Sequence, residues 1–152
     1  DARRRCWDPH QVENVLCPAT PHTGMGDVPA RVAELVTTEP LTAHLATCRD
    51  GRPHVAPVWY LYDEGVVSIV TTGRKLADIR ANPYVSLSIE KSERGLPEWT
   101  STLRGTADVV DDREAFEQAN GRINRKYGVN GDSWEENTLV RIDIGSASFR
   151  TY

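Results

Sequence analysis

Thr71-Thr72-Gly73-Arg74-Lys75 sets two hydroxyls, a glycine and two adjacent cations at the point where a strand-like pattern gives way to a helical one. A helix start offers free backbone N–H groups and the positive end of its dipole, and hydroxyls and cations added to these would hold a phosphate. The same residues also suit a plainer arrangement, with Thr72 capping the helix and Arg74 and Lys75 solvated. A second candidate is Pro53-His54-Val55-Ala56-Pro57-Val58-Trp59-Tyr60. Pro57 has no N–H to give to a ladder, so this segment belongs at a sheet edge, a split or a bulge. There Ala56, Pro57, Val58 and Trp59 can meet a flat ring through backbone amides and an apolar face. The alternative is an ordinary edge strand with Trp59 in the core.

The elements that position these residues follow from periodicity. Residues 1–24 carry no sustained period and read as an N-terminal extension, with the folded domain over 25–152. Asp27 as cap, Pro29 in the first turn, and Val28, Val32, Leu35 and Val36 on one face mark a helix. Strand patterns follow at 41–48, 53–62 and 66–72, joined by Arg49-Asp50-Gly51-Arg52 and Asp63-Glu64-Gly65. Such short links predict an antiparallel meander. Gly73 opens a short helix that Pro83 ends, and Val85, Leu87 and Ile89 alternate along a fourth strand. A polar loop over 91–99 precedes a fifth strand, in which Gly105 signals a bend or a close approach. Phe116, Ala119, Ile123 and Tyr127 define a longer helix, with acids at its start, bases at its end and Gly128 after it. Val140, Ile142 and Ile144 then alternate with Arg141 and Asp143 in a sixth strand. Six antiparallel strands around one core close on themselves and so lose their edges. The expected fold is mainly β, a six-stranded antiparallel barrel with flanking helices.

The chain has 152 residues, and its 18 Lys and Arg against 22 Asp and Glu leave a net charge of −4. An acidic balance argues against nucleic-acid binding, and no apolar run is long enough to span a membrane. Cys6, Cys17 and Cys48 are too few for a disulfide framework. They suit a reducing, cytoplasmic setting. Cys6, His10, Cys17 and His22 lack the close cysteine pair of common zinc sites, so no metal is expected. Cys48 ends a strand without an activating base and reads as core. Lys91 and Arg94 read as solvated surface.

The run LATCRDGRPHVAPVWYLYDEGVVSIVTTGRKLADIRANPYVSLSI resembles the pyridoxamine 5′-phosphate oxidase-like FMN-binding split-barrel family, and the resemblance extends over about residues 28 to 152. It implies a split barrel, a homodimer with the cofactor at the interface, and flavin-dependent oxidation or reduction of a small-molecule substrate. By the same resemblance Arg74 and Lys75 match the family's phosphate-binding pair, Thr71 and Thr72 its hydroxyl-bearing strand end, and Ala56, Pro57, Val58 and Trp59 the strand that lines the isoalloxazine ring. Gly73 stands where the family has Ser. Ala56 and Leu61 stand where true pyridoxamine phosphate oxidases place basic residues, and Ser148-Phe149-Arg150-Thr151-Tyr152 is not the Arg-rich segment that holds their substrate phosphate. Vitamin B6 oxidation is therefore not expected. FMN is the expected cofactor, a deazaflavin coenzyme the alternative, and a non-catalytic flavin or heme carrier a further one. For heme, His44 and His54 on adjacent strands are the candidate ligands, against a structural role for each. Trp99, in the loop before the fifth strand, would cover a flavin from the partner subunit or else fill a core or interface.

Overall fold

The structure, a computed structural model, describes residues 28–152. The expected 1–24 extension, the domain start at Met25, the Asp27 cap and the Cys6, His10, Cys17, His22 set lie outside those residues. Helix α1 (Ala30–Thr37) has Pro29 as its N-cap and buries Val32, Leu35 and Val36. Strands β1 (Ala43–Arg49) and β2 (Arg52–Val58) form a hairpin whose turn residues, Asp50 and Gly51, have φ of 52° and 73°. Strands β3 (Leu61–Asp63) and β4 (Val66–Thr71) repeat the device with Glu64 and Gly65 at 45° and 83°. Two positive φ angles in a two-residue loop match the right-handed twist of the strands they join. Helix α2 (Gly73–Ala81), strands β5 (Tyr84–Glu93) and β6 (Leu96–Val110), helix α3 (Arg113–Lys126) and strand β7 (Thr138–Thr151) complete the order.

One antiparallel sheet runs β2-β1-β5-β6-β7-β4-β3. It has seven strands, where periodicity predicts six, because the expected 53–62 strand breaks at Trp59 and Tyr60. Its first half pairs with β1 and its second with β4. The expected meander is thereby corrected: β2 and β3 are consecutive in the chain yet stand at opposite margins of the sheet. A flat seven-stranded sheet would hold its margins about 29 Å apart, at about 4.8 Å per strand. The three Cα steps from Val58 to Leu61 reach about 11 Å at most. The sheet therefore has to curl until its margins meet, and chain connectivity bridges a gap that no ladder closes. The result is a split barrel.

The interior is filled from alternate positions, with Leu45, Ile69, Leu87, Leu103 and Ile142 fully buried. Leu139 faces the other way and joins Phe116 and Ala119 in a smaller cluster beneath α3. Asp112 caps α3 by accepting from the Ala115 N–H at 2.9 Å. The expected 91–99 loop is instead the end of β5, a tight turn at Arg94 and Gly95, and the start of β6. Polar composition concealed strands that extend beyond the core. Lys91, read as solvated, pairs with Glu39 at 2.9 Å and Glu98 at 3.4 Å.

Gly105 sits where the β6–β7 register shifts, and a Cβ there would lie 2.3 Å from the Asp143 carbonyl oxygen. The nearest atom is backbone and cannot swing away. Gly105→Ala should cost about 1–3 kcal/mol, read as a lower urea midpoint at unchanged slope. A variant as stable as the parent would show that β7 can move.

Candidate functional site

Strand β4 ends at Thr71 and α2 begins at Gly73, whose φ of +66° lies in the left-handed region open to glycine. This accounts for the absence of Ser at that position. Thr72 is the extended N-cap residue, but its hydroxyl makes no capping hydrogen bond, so the plain capping arrangement is not the one observed. The Thr71 side chain is buried, and its Oγ1 has no hydrogen-bond partner. A buried hydroxyl normally finds one, so an unpartnered one beside free helix N–H groups suits a ligand oxygen. No acidic side chain occupies the first turn of α2 to answer its dipole, and among the described residues Lys75 makes no ion pair.

Asp78 is the feature that sequence reading missed. Its carboxylate is buried and accepts from the Thr47 hydroxyl of β1 at 2.8 Å. Arg49 Nε stands 3.4 Å from Oδ1, and Arg74 Nε 3.8 Å from Oδ2. One carboxylate thus ties the β1–β2 hairpin to α2 and aims two guanidinium groups into the same space. Its sequence signal was only an acid four residues after Arg74 on a helix, a spacing shared by ordinary surface pairs.

Pro57 lies on β2, a margin of the sheet, as its missing N–H requires. Ala56 is half-buried, Val58 buried and Pro57 exposed. The Trp59 indole stacks on Tyr127, with centroids 4.6 Å apart and planes 4° from parallel, and meets Trp134 edge-on at 6.4 Å. Its side chain is engaged within the chain, and its main chain is what it can offer a ring. His44 and His54 do not converge. His54 pairs with Thr47 across the ladder, while His44, three residues before Thr47, faces the opposite side. Trp99 lies in β6 rather than in the expected loop, where it pairs with Lys91, and at 5% exposed it takes the core role among the alternatives expected for it. Cys48 is half-buried.

A second unanticipated cluster holds the β2–β3 crossing. The fully buried Tyr60 donates its hydroxyl to the Val36 carbonyl at 2.6 Å. Its N–H donates to the Tyr127 hydroxyl at 3.3 Å, and its carbonyl accepts from Lys126 Nζ at 2.8 Å. Tyr127 in turn donates its hydroxyl to the Leu41 carbonyl. Lys126 Nζ also lies 3.7 Å from the centroid of the Tyr60 ring. Burial pushes the Lys126 amine down to about 8 and the Tyr127 hydroxyl up to about 12, and it raises Tyr60 as well. From the sequence Lys126 reads only as a charge suiting the helix C-terminus.

The profile of the pyridoxamine 5′-phosphate oxidase family matches residues 28–148. The chain belongs to that family. No curated protein matches it. Among solved structures, the protein called F420 Reductase is 27% identical, with coverage of 76% of this chain and 94% of that one and a TM-score of 0.63. A FAD-binding protein from Mesorhizobium loti is 24% identical, with coverage of 82% and 96% and a TM-score of 0.63. The heme storage protein from Vibrio cholerae is 18% identical, with coverage of 80% and 92% and a TM-score of 0.64. The last two likenesses are of fold. The pyridoxamine 5′-phosphate oxidase family thus supplies the split barrel, and the proteins that share it carry names referring to different cofactors. Among the described residues no helix is long and apolar enough to cross a membrane.

The Lys126 cluster has a pH signature. Between about 8 and the ordinary lysine value of 10.5, the unfolded chain holds a proton at Lys126 that the folded chain has released. Stability therefore rises with pH across that window. Tyr60 and Tyr127, the titratable groups facing the amine, act oppositely: raised above 10, they keep their protons when folded, and stability falls at still higher pH. Denaturant melts from pH 7.5 to 10 should show the parent gaining on Lys126→Met as pH rises. A constant difference would mean that Lys126 stays charged throughout.

Proposed function

We propose that this chain is a flavin-type oxidoreductase that binds FMN, or its deazaflavin counterpart, at the β4–α2 junction. Thr71, Thr72, Arg74 and Lys75 hold the phosphate, Gly73 lets the backbone approach it, and the main chain of Ala56, Pro57, Val58 and Trp59 lines the ring. The observation that carries this reading is the buried, unpartnered Thr71 hydroxyl, next to an uncapped Thr72 at a helix start that bears two cations and no acid. Those groups fit a phosphate monoester or diester. The 27% identity to a protein called F420 Reductase favours the deazaflavin form as the second reading. A bound ring supplies hydride or electron transfer, so the chain's residues need only bind, orient and exclude water. The substrate is a small molecule. Ala56 and Leu61 lack the charge to hold a substrate phosphate, and vitamin B6 oxidation is not proposed.

The reading includes a homodimer. Across five strands the outward positions run Val55, Ala46, Ser86, Arg104, Ser146 in one row and Pro57, His44, Ser88, Thr102, Ser148 in the next. Small side chains predominate on that face, which is indented over Ala46, Ser86, Arg104 and Ser146, and Val55 and Tyr84 lie on it 63% and 72% exposed. A second copy of the chain would cover both. Ser86→Arg sets a like charge beside Arg104, and sedimentation should show it monomeric where the parent is dimeric. A parent that sediments as a monomer removes the dimer from the proposal.

The absorbance spectrum of the purified protein, with chromatography of what acid releases, tests the cofactor. Two visible bands with FMN released, or the single band of a deazaflavin, support the reading. A colourless protein that binds neither added compound overturns it. Arg74→Ala and Lys75→Ala should each weaken FMN binding by about 1.5–3 kcal/mol and leave riboflavin, which has no phosphate, within threefold. Lys75 should show the larger loss, because Arg74 shares its charge with Asp78. Changes under threefold for FMN in both variants would remove the phosphate from this junction.

A further inference from the structure

Among the described residues, four other than glycine have a positive φ: Asp50, Glu64, Arg94 and Trp134. The first three each precede a glycine in a tight hairpin turn, which demands that conformation. Trp134, at +64°, serves no hairpin and lies in the link between α3 and β7. A bulky side chain enters the left-handed region only where its surroundings impose it. Here two buried amides on α3 do so. Asn120 and Asn124 both donate from Nδ2 to the Ser133 carbonyl, at 2.8 and 2.9 Å, and so fix the peptide group that leads into Trp134. Neither Oδ1 finds a partner of its own, so the hold on Ser133 is kept at the expense of two buried acceptors.

This hold does not bury the indole. Trp134 stays 49% exposed, whereas a tryptophan placed for packing goes under cover, as Trp99 does. Its aromatic neighbour is Trp59, met edge-on at 6.4 Å. Trp59 ends the segment whose main chain lines the proposed ring, and its own indole is taken up by the stack with Tyr127. The open aromatic surface at that end of the ring site is therefore the one Trp134 presents. Indoles favour a flat apolar partner, stacked or edge-on. A ring laid along Ala56–Trp59 brings its end to that surface.

We infer that Trp134 is a cofactor-contacting residue, whose exposed indole lies against the Trp59 end of the bound ring. This rests on the cofactor reading above and deepens it, because the other groups of that site hold the phosphate or offer main chain. Trp134 adds an aromatic side chain to the ring itself. It fills the covering role expected of Trp99, from a different loop. The contact is independent of the phosphate, so compounds with and without one feel it alike.

The test is titration of the full chain with riboflavin, FMN and 5-deazariboflavin, read by affinity and by the emission of the bound ring. Trp134→Gly removes the indole and relieves the backbone together, since glycine takes a positive φ without strain. It should weaken FMN and riboflavin by the same factor, tenfold or more, where Arg74→Ala weakens FMN alone. Trp134→Phe keeps an aromatic contact and should bind within threefold of the parent. An adjacent indole quenches the emission of a flavin or deazaflavin by electron transfer and a phenyl ring does not, so the ring bound to Trp134→Phe should emit at least twice as strongly as in the parent. That emission decides the matter, whether or not Trp134→Gly folds: a rise supports the contact, and an unchanged emission overturns it. Weaker binding by Trp134→Gly beside an unchanged emission assigns Trp134 to propping Trp59 instead. A parent that binds none of the three compounds overturns the cofactor reading itself, and this inference with it.

Discussion

Trp59 and Tyr60 carry the chain from one margin of the sheet to the other, and everything else about the barrel accommodates the shortness of that passage. A crossing that belongs to no ladder leaves backbone groups without partners in the interior, and each one left unpaired would cost about 1–3 kcal/mol. Two adjacent side chains at the end of α3 and the backbone of α1 provide for Tyr60. Lys126 and Tyr127 take its carbonyl and its N–H, and its own hydroxyl answers the last carbonyls of α1 through Val36. The long helix α3 is therefore more than a cover for the sheet. Its C-terminal turn fixes the strand on which the proposed ring contact lies, and the Trp59–Tyr127 stack makes that fixation rigid on both sides of the crossing.

At the other end of β2 a second buried polar centre performs a comparable task. Asp78 joins Thr47, Arg49 and Arg74, and so couples the β1–β2 hairpin to the helix that opens the phosphate cradle. Burial of a carboxylate is unfavourable unless cations and donors surround it. Here the surrounding cations are themselves candidates for ligand anions. Arg74 in particular serves two demands, its pairing with Asp78 and the proposed hold on a phosphate.

Much of the site was legible because it is contiguous. Thr71 to Lys75 form one uninterrupted run, and a strand end, a glycine and a helix start follow from local conformational preference alone. Pro57 likewise declared a sheet margin because its missing N–H is a property of the residue itself. Gly105 announced a close approach for a similar reason, since no other residue lacks a Cβ. The misplaced residues failed for the opposite reason. Trp99 was set in a loop because 91–99 is polar, yet β5 and β6 pair with each other through that stretch, and their ladder extends past the core into solvent.

Apart from the 91–99 stretch and the break at Trp59 and Tyr60, local pattern by itself determined which segments are strands and helices and which face of each strand is apolar, because these follow from side-chain alternation and backbone freedom within a few residues. It also marked Thr71 to Lys75, after β4, as the candidate phosphate cradle. Which strands are neighbours was decided only in three dimensions. Pairing is set by how a closed surface can be packed, and a two-residue link reads alike whether it turns back or crosses over. The same holds for Asp78, Lys126 and Tyr127. Each carries an ordinary residue type at an ordinary helical position, and its role arises from segments 29 to 86 residues away in the chain that folding brings within hydrogen-bonding or ion-pairing distance.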